Sequence, residues 1–368
     1  MVIQLSEIFG QDAALKAISK ALESDTLAGT YLLVGSPGTG RSTFAKAIAA
    51  VATCLSPIQN PIDACGECAS CKAIANESQP EIVLVQPKGD SIQIGQFWDR
   101  DGKKEHGVLS NSIPFAPVIG KRRVFIVEQA EKLTPSAANS LLKSLEEPPP
   151  YVLFILIASH PGRMLPTILS RAQQIRLNAV PREELTKWLI AQHKIDLKLA
   201  QSLSAYAEGK VGTALTMAQN PAVGEEIATV MTIATEFAQT PLYSALKVAE
   251  QIRKASTQIS ALVGEGGRTA DGDEASSGKE RVDRKRVALV FDLLLSFYRD
   301  LLALSVGGEA CHRLVNQSQS EEWEPIATLS PPTRWIGCLD ALLLARRRLD
   351  ANANINLLTE SLAMSLLG

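Results

Sequence analysis

The sequence predicts an α/β domain built on a parallel sheet, followed by an all-helical second half. Two observations predict this. In the first half, near-continuous apolar runs alternate with helix-period segments, the pattern of a sheet covered on both faces. After about Leu177 strand-like runs disappear and helical periodicity dominates.

The elements follow in order. Thr30–Gly35 (TYLLVG) reads as a strand entering a glycine loop, and STFAKAIAAVATCL as the helix behind it. EIVLVQP (81–87), RVFIVEQ (123–129) and VLFILIAS (152–159) read as further buried strands. Thr134-Pro135 gives an N-cap and a proline at the first helical position, and Pro148-Pro149-Pro150 stops that helix. PREELTKWLIAQHK, KLAQSLSAYAE and KVGTALTMAQN form a small helical unit. Gly264 to Lys285 is almost devoid of apolar residues and is expected to be a mobile loop. Ile94 to Ser112 suggests no element, although Phe97 and Trp98 suit local packing.

The bulk numbers bound the function. In 368 residues, 46% hydrophobic and 21% charged, the net charge is -2. Nothing in that balance advertises autonomous nucleic-acid binding. The longest apolar stretch, Val287 to Leu304, is broken by Asp292, Arg299 and Asp300 and reads as a bundle helix, not a membrane span. No basic, apolar leader opens the chain, so a cytoplasmic location with reduced cysteines is expected.

Gly35-Ser36-Pro37-Gly38-Thr39-Gly40-Arg41-Ser42-Thr43 is a phosphate loop with arginine in place of lysine. Its glycines let consecutive N–H groups cradle phosphate oxygens, the following helix adds its dipole, and a hydroxyl can reach Mg²⁺. Arg41 keeps the charge but presents a wide planar fork. The strand from Val124 to Val127 ends in Glu128-Gln129, where hydrolysing relatives of such loops place a metal-binding aspartate and a water-activating glutamate. Glu128 can still approach a metal; Gln129 cannot take a proton from water. ATP and Mg²⁺ therefore remain candidate ligands, without expected turnover.

Cys54, Cys65, Cys68 and Cys71 are spaced as C-x10-C-x2-C-x2-C. Four thiolates close a tetrahedral structural site, with zinc the expected ion and an iron–sulfur cluster the alternative. Cys311 and Cys338 are expected to be isolated core thiols.

The opening Glu7-Ile8-Phe9-Gly10-Gln11, the loop, the cysteines, Ala137 to Pro149 (AANSLLKSLEEPP) and Leu165 to Arg171 (LPTILSR) occur in an order that resembles the bacterial clamp-loader family, the gamma/tau and delta-prime subunits of the replicative DNA polymerase III holoenzyme. The resemblance covers about the first 220 residues and touches Asn352 to Asn356 near the end. It implies an AAA+ domain over 1–177 with a zinc module at 54–71, a helical lid over 178–222, and a helical collar over 223–368 carrying the 264–285 loop. It implies that Arg171, after Ser170, is a finger completing a neighbour's ATP site, and that Gly212 stands where the lid's γ-phosphate-sensing arginine would be. Ala172 departs from the family's Ser-Arg-Cys motif. Altered lysine, acidic pair and lid arginine together match the delta-prime pattern, a stator with a degenerate site. The implied partners are the gamma/tau and delta subunits, with the sliding clamp and primer-template DNA reached through the complex. An active gamma/tau-type ATPase and a regulatory AAA+ protein outside replication are the alternatives.

Overall fold

The structure, a computed structural model, describes residues 2–99, 107–110, 112–220, 222–240, 244–259, 275–308, 314–316 and 319–367, without the side chains of Lys198 and 275–282. Cys311, residues 264–274 and 100–106 lie outside the described residues. The chain divides into two units, Met1–Val180 with Lys210–Gly212, and Pro181–Gly209 with Thr213–Gly368.

In the first unit, α1 (Asp12–Glu23) leads to β1 (Thr30–Val34), the phosphate loop and α2 (Arg41–Thr53). The cysteine module with α3 (Ala69–Ala75) precedes β2 (Ile82–Val85) and β3 (Arg123–Val127). Then come α4 (Pro135–Glu146), β4 (Val152–Ala158), α5 (Pro166–Leu169) and β5 (Gln173–Arg176). All pairings are parallel, in the order β2-β3-β4-β1-β5.

Side-chain alternation divides the core between the two faces of the sheet. Tyr31, Leu33, Val124, Ile126, Ile155 and Ile157 pack with Phe44 and Ile48 of α2. Leu32, Val34, Phe125, Val127, Phe154 and Leu156 pack with Leu141 and Leu145 of α4. Each such fully buried side chain contributes about 1.5–3 kcal/mol. The four apolar runs are thus strands covered on both faces, except that β2 lies at an edge and leaves Leu84 exposed.

Thr134 caps α4, its Oγ1 accepting from the Ala137 N–H at 3.3 Å. In the Ile94 to Ser112 stretch, Phe97 and Leu109 are buried in the α4-side core and Trp98 packs against it. The parallel arrangement brings the ends of β1, β3 and β4 to one edge of the sheet, where ligand loops of such sheets gather.

The second unit contains α6 (Arg182–His193), α7 (Leu197–Tyr206), most of α8 (Val211–Ala218), α9 (Ala222–Gln239), α10 (Ala245–Gln258), α11 (Ala275–Val306), α12 (Ser320–Thr328), α13 (Pro332–Asp350) and α14 (Ile355–Leu367). Its core stacks Phe297 edge-on to Tyr298 and Trp323, with Tyr298 beside Trp335. Cys338 is buried there, and burial pushes its thiol up to about 11. Val287 to Leu304 lies within α11 as a bundle helix, and no helix among the described residues is long and apolar enough to cross a membrane.

One expectation is corrected. Residues 275–285 are not loop but the first turns of α11. Polar composition removes burial, not helicity; a helix nucleated by a packed segment propagates at little cost through Lys, Glu and Arg. Arg284 donates to the carbonyls of Ala353 at 2.9 Å and Asn352 at 3.3 Å, closing the end of α13.

Asp300, buried on α11, accepts from the N–H groups of Val315 at 3.0 Å and Asn316 at 2.8 Å and from Asn316 Nδ2 at 2.8 Å. Arg182 Nη2 donates to Val315 O at 2.9 Å, and the Tyr206 hydroxyl bonds Asn316 Oδ1. Asp300→Ala would strand these buried donors and should lower unfolding free energy by about 2–4 kcal/mol. Urea denaturation checks this, and a loss under about 0.5 kcal/mol would mean that water replaces the carboxylate.

Candidate functional site

The phosphate loop leaves the end of β1 and turns into α2 through two left-handed glycines, Gly38 at φ 86° and Gly40 at φ 89°. Gly35 has no room for a side chain: a Cβ there would stand 2.6 Å from Leu177 O. Thr39 folds the loop on itself, donating from Oγ1 to Ser36 O at 2.9 Å. Ser36, Pro37 and Thr43 are exposed, and Ser42 is half-buried at the helix start.

Arg41 is half-buried. Burial pushes its guanidinium below its ordinary value, while the carboxylates of Glu131 and Glu128 act in the opposite direction. Glu128 follows β3, with its Oε2 accepting from Gln86 Nε2 at 2.9 Å. Gln129 is exposed and left-handed at φ 51°, starting a short turn. Glu131 is the acidic residue that sequence reasoning missed. Its Oε1 accepts from the Ser159 N–H beyond β4 at 3.1 Å, while Glu131 Oε2 and Arg41 Nη1 are buried without a hydrogen-bond partner. No spacing marks it, because it lies in an ordinary charged turn.

Gly212 is in close backbone contact with the phosphate loop. Its N–H donates to Gly38 O at 2.8 Å, and a Cβ would stand 3.0 Å from the same oxygen. Gly212 thus lies directly against the phosphate loop, and a side chain there would crowd the loop carbonyl.

Arg171 follows α5 and its C-cap Ser170. Its Nη2 pairs with Glu146 Oε2 at 3.1 Å, and its Nη1 donates to Thr167 O at 3.0 Å. The side chain is 29% exposed, a held guanidinium and not a free surface arm.

Cys54 ends α2, Cys65 and Cys68 flank a turn through Gly66 at φ 76°, and Cys71 lies in α3. The sulfur of Cys54 is 3.5 Å from that of Cys65 and 3.8 Å from those of Cys68 and Cys71; Cys65 and Cys71 are 3.9 Å apart. Four sulfurs around one ion at about 2.3 Å would lie about 3.8 Å apart at the corners of a tetrahedron. The cage therefore fits a single ion, whereas a multi-iron cluster would force the sulfurs wider. The spacing is also far beyond the ~2.05 Å of a disulfide. Burial raises the Cys54 and Cys71 thiols. At Cys65 burial acts in the same direction but is outweighed by the N–H groups of Glu67 and Cys68, which bring it down to about 6. The four sulfurs can hold a metal ion.

The structure thus gathers Arg41, Glu128, Glu131 and Gly212 around the loop, and the four cysteines into one cage. Arg171 is held at the end of α5 by its own ion pair.

The family described as "DNA polymerase III, delta subunit" matches residues 10–181. The "DNA polymerase III subunit delta'" of Bacillus subtilis is 27% identical over 356 residues, 97% of this chain and 96% of its own length. A "DNA polymerase III subunit gamma/tau" of Mycoplasma genitalium is 32% identical over 197 residues, 50% of this chain. That alignment spans 31% of the relative's length. A "tau/gamma" subunit of Haemophilus influenzae is 26% identical over 217 residues, 30% of its length. The gamma/tau relatives share only one part of the chain, whereas the delta' relative is matched from end to end. With its parallel sheet and glycine loop, the chain is thus similar over its first half to bacterial DNA polymerase III clamp-loader subunits, and over nearly its whole length to a delta' subunit.

Proposed function

We propose that the chain is a non-hydrolysing subunit of a clamp loader that completes a neighbouring subunit's ATP site with Arg171. The observation that carries this reading is an asymmetry. Three elements of hydrolysis are altered within the chain, at Arg41, Gln129 and Gly212, while an arginine is retained in the Leu165 to Arg171 segment. Without a carboxylate at Gln129, no group at that position can take a proton from water. Gly212 supplies a backbone N–H to Gly38 in place of a charge for a γ-phosphate. ATP with Mg²⁺, if it binds at the α2 terminus, would be held and not turned over.

The partners in this reading are gamma/tau and delta subunits, with the sliding clamp and primer-template DNA engaged through the assembly, in the cytoplasm. Residues 178–222 act as the lid and 223–368 as the collar. The cysteine cage holds zinc as a structural ion, with no position left open for chemistry.

Reconstituting the loader with and without this chain tests the reading. Omission should abolish ATP-dependent clamp loading, and adding the chain should restore it. The isolated chain should hydrolyse ATP far below the rate of ordinary enzymes, on the order of 1 per second. DNA-stimulated turnover at that rate by the chain alone would assign it to the active gamma/tau type.

A further inference from the structure

The residues ahead of α1 form a strap held at both ends within the first unit. At one end is Asp63, buried and two positions before Cys65. Its carboxylate accepts from the N–H groups of Leu5 at 2.9 Å, Ser6 at 3.0 Å and Ala64 at 2.7 Å. Gln4 Nε2 answers by donating to Ala64 O at 2.9 Å. At the other end Gln11, also buried, pairs twice with Asn178: its Nε2 donates to Asn178 O at 2.8 Å, and its Oε1 accepts from the Asn178 N–H at 3.1 Å. Gly10, left-handed at φ +70°, lies so close to Val180 that a Cβ would meet its Cγ2 at 2.2 Å. Between these ends, Leu5 is buried in the same cluster as Cys54, Ile62, Ala64 and Cys71.

Asp63 owes its place to the cysteine module. Residues 55–64 contain no helix and no named strand; one bridge holds them, in which the backbones of Ile58 and Asp63 exchange hydrogen bonds at 2.9 and 3.1 Å. The segment begins after Cys54 and ends before Cys65, so both of its ends are fixed to the sulfur cage.

We infer that the metal ion orders the strap of residues 4–11 through Asp63, and thereby holds the backbone at Asn178–Val180, where the first unit ends. The cage, the 55–64 turn, the Asp63 carboxylate, the strap and the Gln11–Asn178 pair form one contiguous chain of contacts, which is what coupling between distant segments requires. Metal loss would let the sulfurs spread, displace Asp63 and free the N–H groups of Leu5 and Ser6. This inference rests on the metal reading of the cysteines.

The test is amide hydrogen exchange on the full chain, with metal content measured on the same samples. Stripping the metal with a thiol-reactive mercurial and a chelator should speed exchange at Leu5 and Ser6 by about tenfold or more, as loss of charge-assisted bonds does. Exchange at Asn178 should rise less, and the β4 amides should stay protected. Asp63→Asn should release one of the two amides, Leu5 or Ser6, with the ion still bound, because they bond to different carboxylate oxygens and the amide replaces one of these with a donor. Metal-bearing protein whose Leu5 and Ser6 amides are indifferent to stripping, or to Asp63→Asn, would overturn the coupling and leave the metal site standing. If stripping opens β4 to the same degree, general unfolding and not the Asp63 link releases the strap, and the coupling is overturned. A chain that neither carries a metal nor takes up zinc would overturn the metal reading itself.

Discussion

Replacing Arg171 by alanine should slow ATP hydrolysis at the adjacent subunit's site by about 10³-fold or more, the usual worth of an arginine finger. The chain's own stability should barely change. The side chain is partly exposed, and its pair with Glu146, itself 57% exposed, is a surface ion pair. Such pairs contribute about 0–1 kcal/mol. Docking would exchange Glu146 for phosphate oxygens as the partner of the guanidinium, so Glu146→Gln should leave the assembled rate within about threefold, an exposed pair being cheap to break. Arg171→Lys should rescue poorly, because a point charge replaces a two-pronged donor. The measurement is single-turnover hydrolysis in reconstituted loaders, with folding followed by urea denaturation. Unmodified hydrolysis and clamp loading by Arg171→Ala assemblies would reduce Arg171 to a residue that ties α5 to α4.

Replacing Cys54 or Cys71 by serine should abolish stoichiometric metal binding and destabilise the module. Apparent binding free energies of structural zinc are on the order of 10 kcal/mol. The loss expressed in global unfolding is smaller, because the module can open locally before the sheet does. Both thiols are buried, so a serine there adds a polar group without the ion that would ionise and hold the sulfur. Metal analysis and thermal unfolding monitor the effect. Serine at Cys65, on the more exposed side of the cage, should also lose the ion but disturb the core less. Retention of one ion per chain by Cys71→Ser would mean that three sulfurs and a water suffice.

These predictions fall on residues visible in the sequence for different reasons. The cysteines announced themselves by spacing, and the sulfurs indeed converge within hydrogen-bonding and ligand distances of one another. Three strands facing the core on both sides, and β2 at the edge, were legible as apolar runs. β5 was not: Gln173 to Arg176 buries only Ile175, since an edge strand beside β1 has little apolar surface to advertise. The helical start of α11 was hidden by the same logic, composition reporting burial more directly than backbone geometry.

The sequence by itself determined the α/β class, the glycine loop with its arginine, the four closely spaced cysteines and an amide in place of a carboxylate at Gln129. Each is carried by residue type and local spacing, which the chain keeps before it folds. Only the tertiary structure decided that Glu131 stands with Arg41, that Asp63 holds the strap of residues 4–11, and that Asp300 gathers the backbone of Val315 and Asn316. It also decided that Gly212 is a backbone contact of the loop. Those relations join residues up to 174 positions apart, as in the bond from Gly212 to Gly38. They depend on the backbone approach that packing enforces, and local pattern carries no record of that approach.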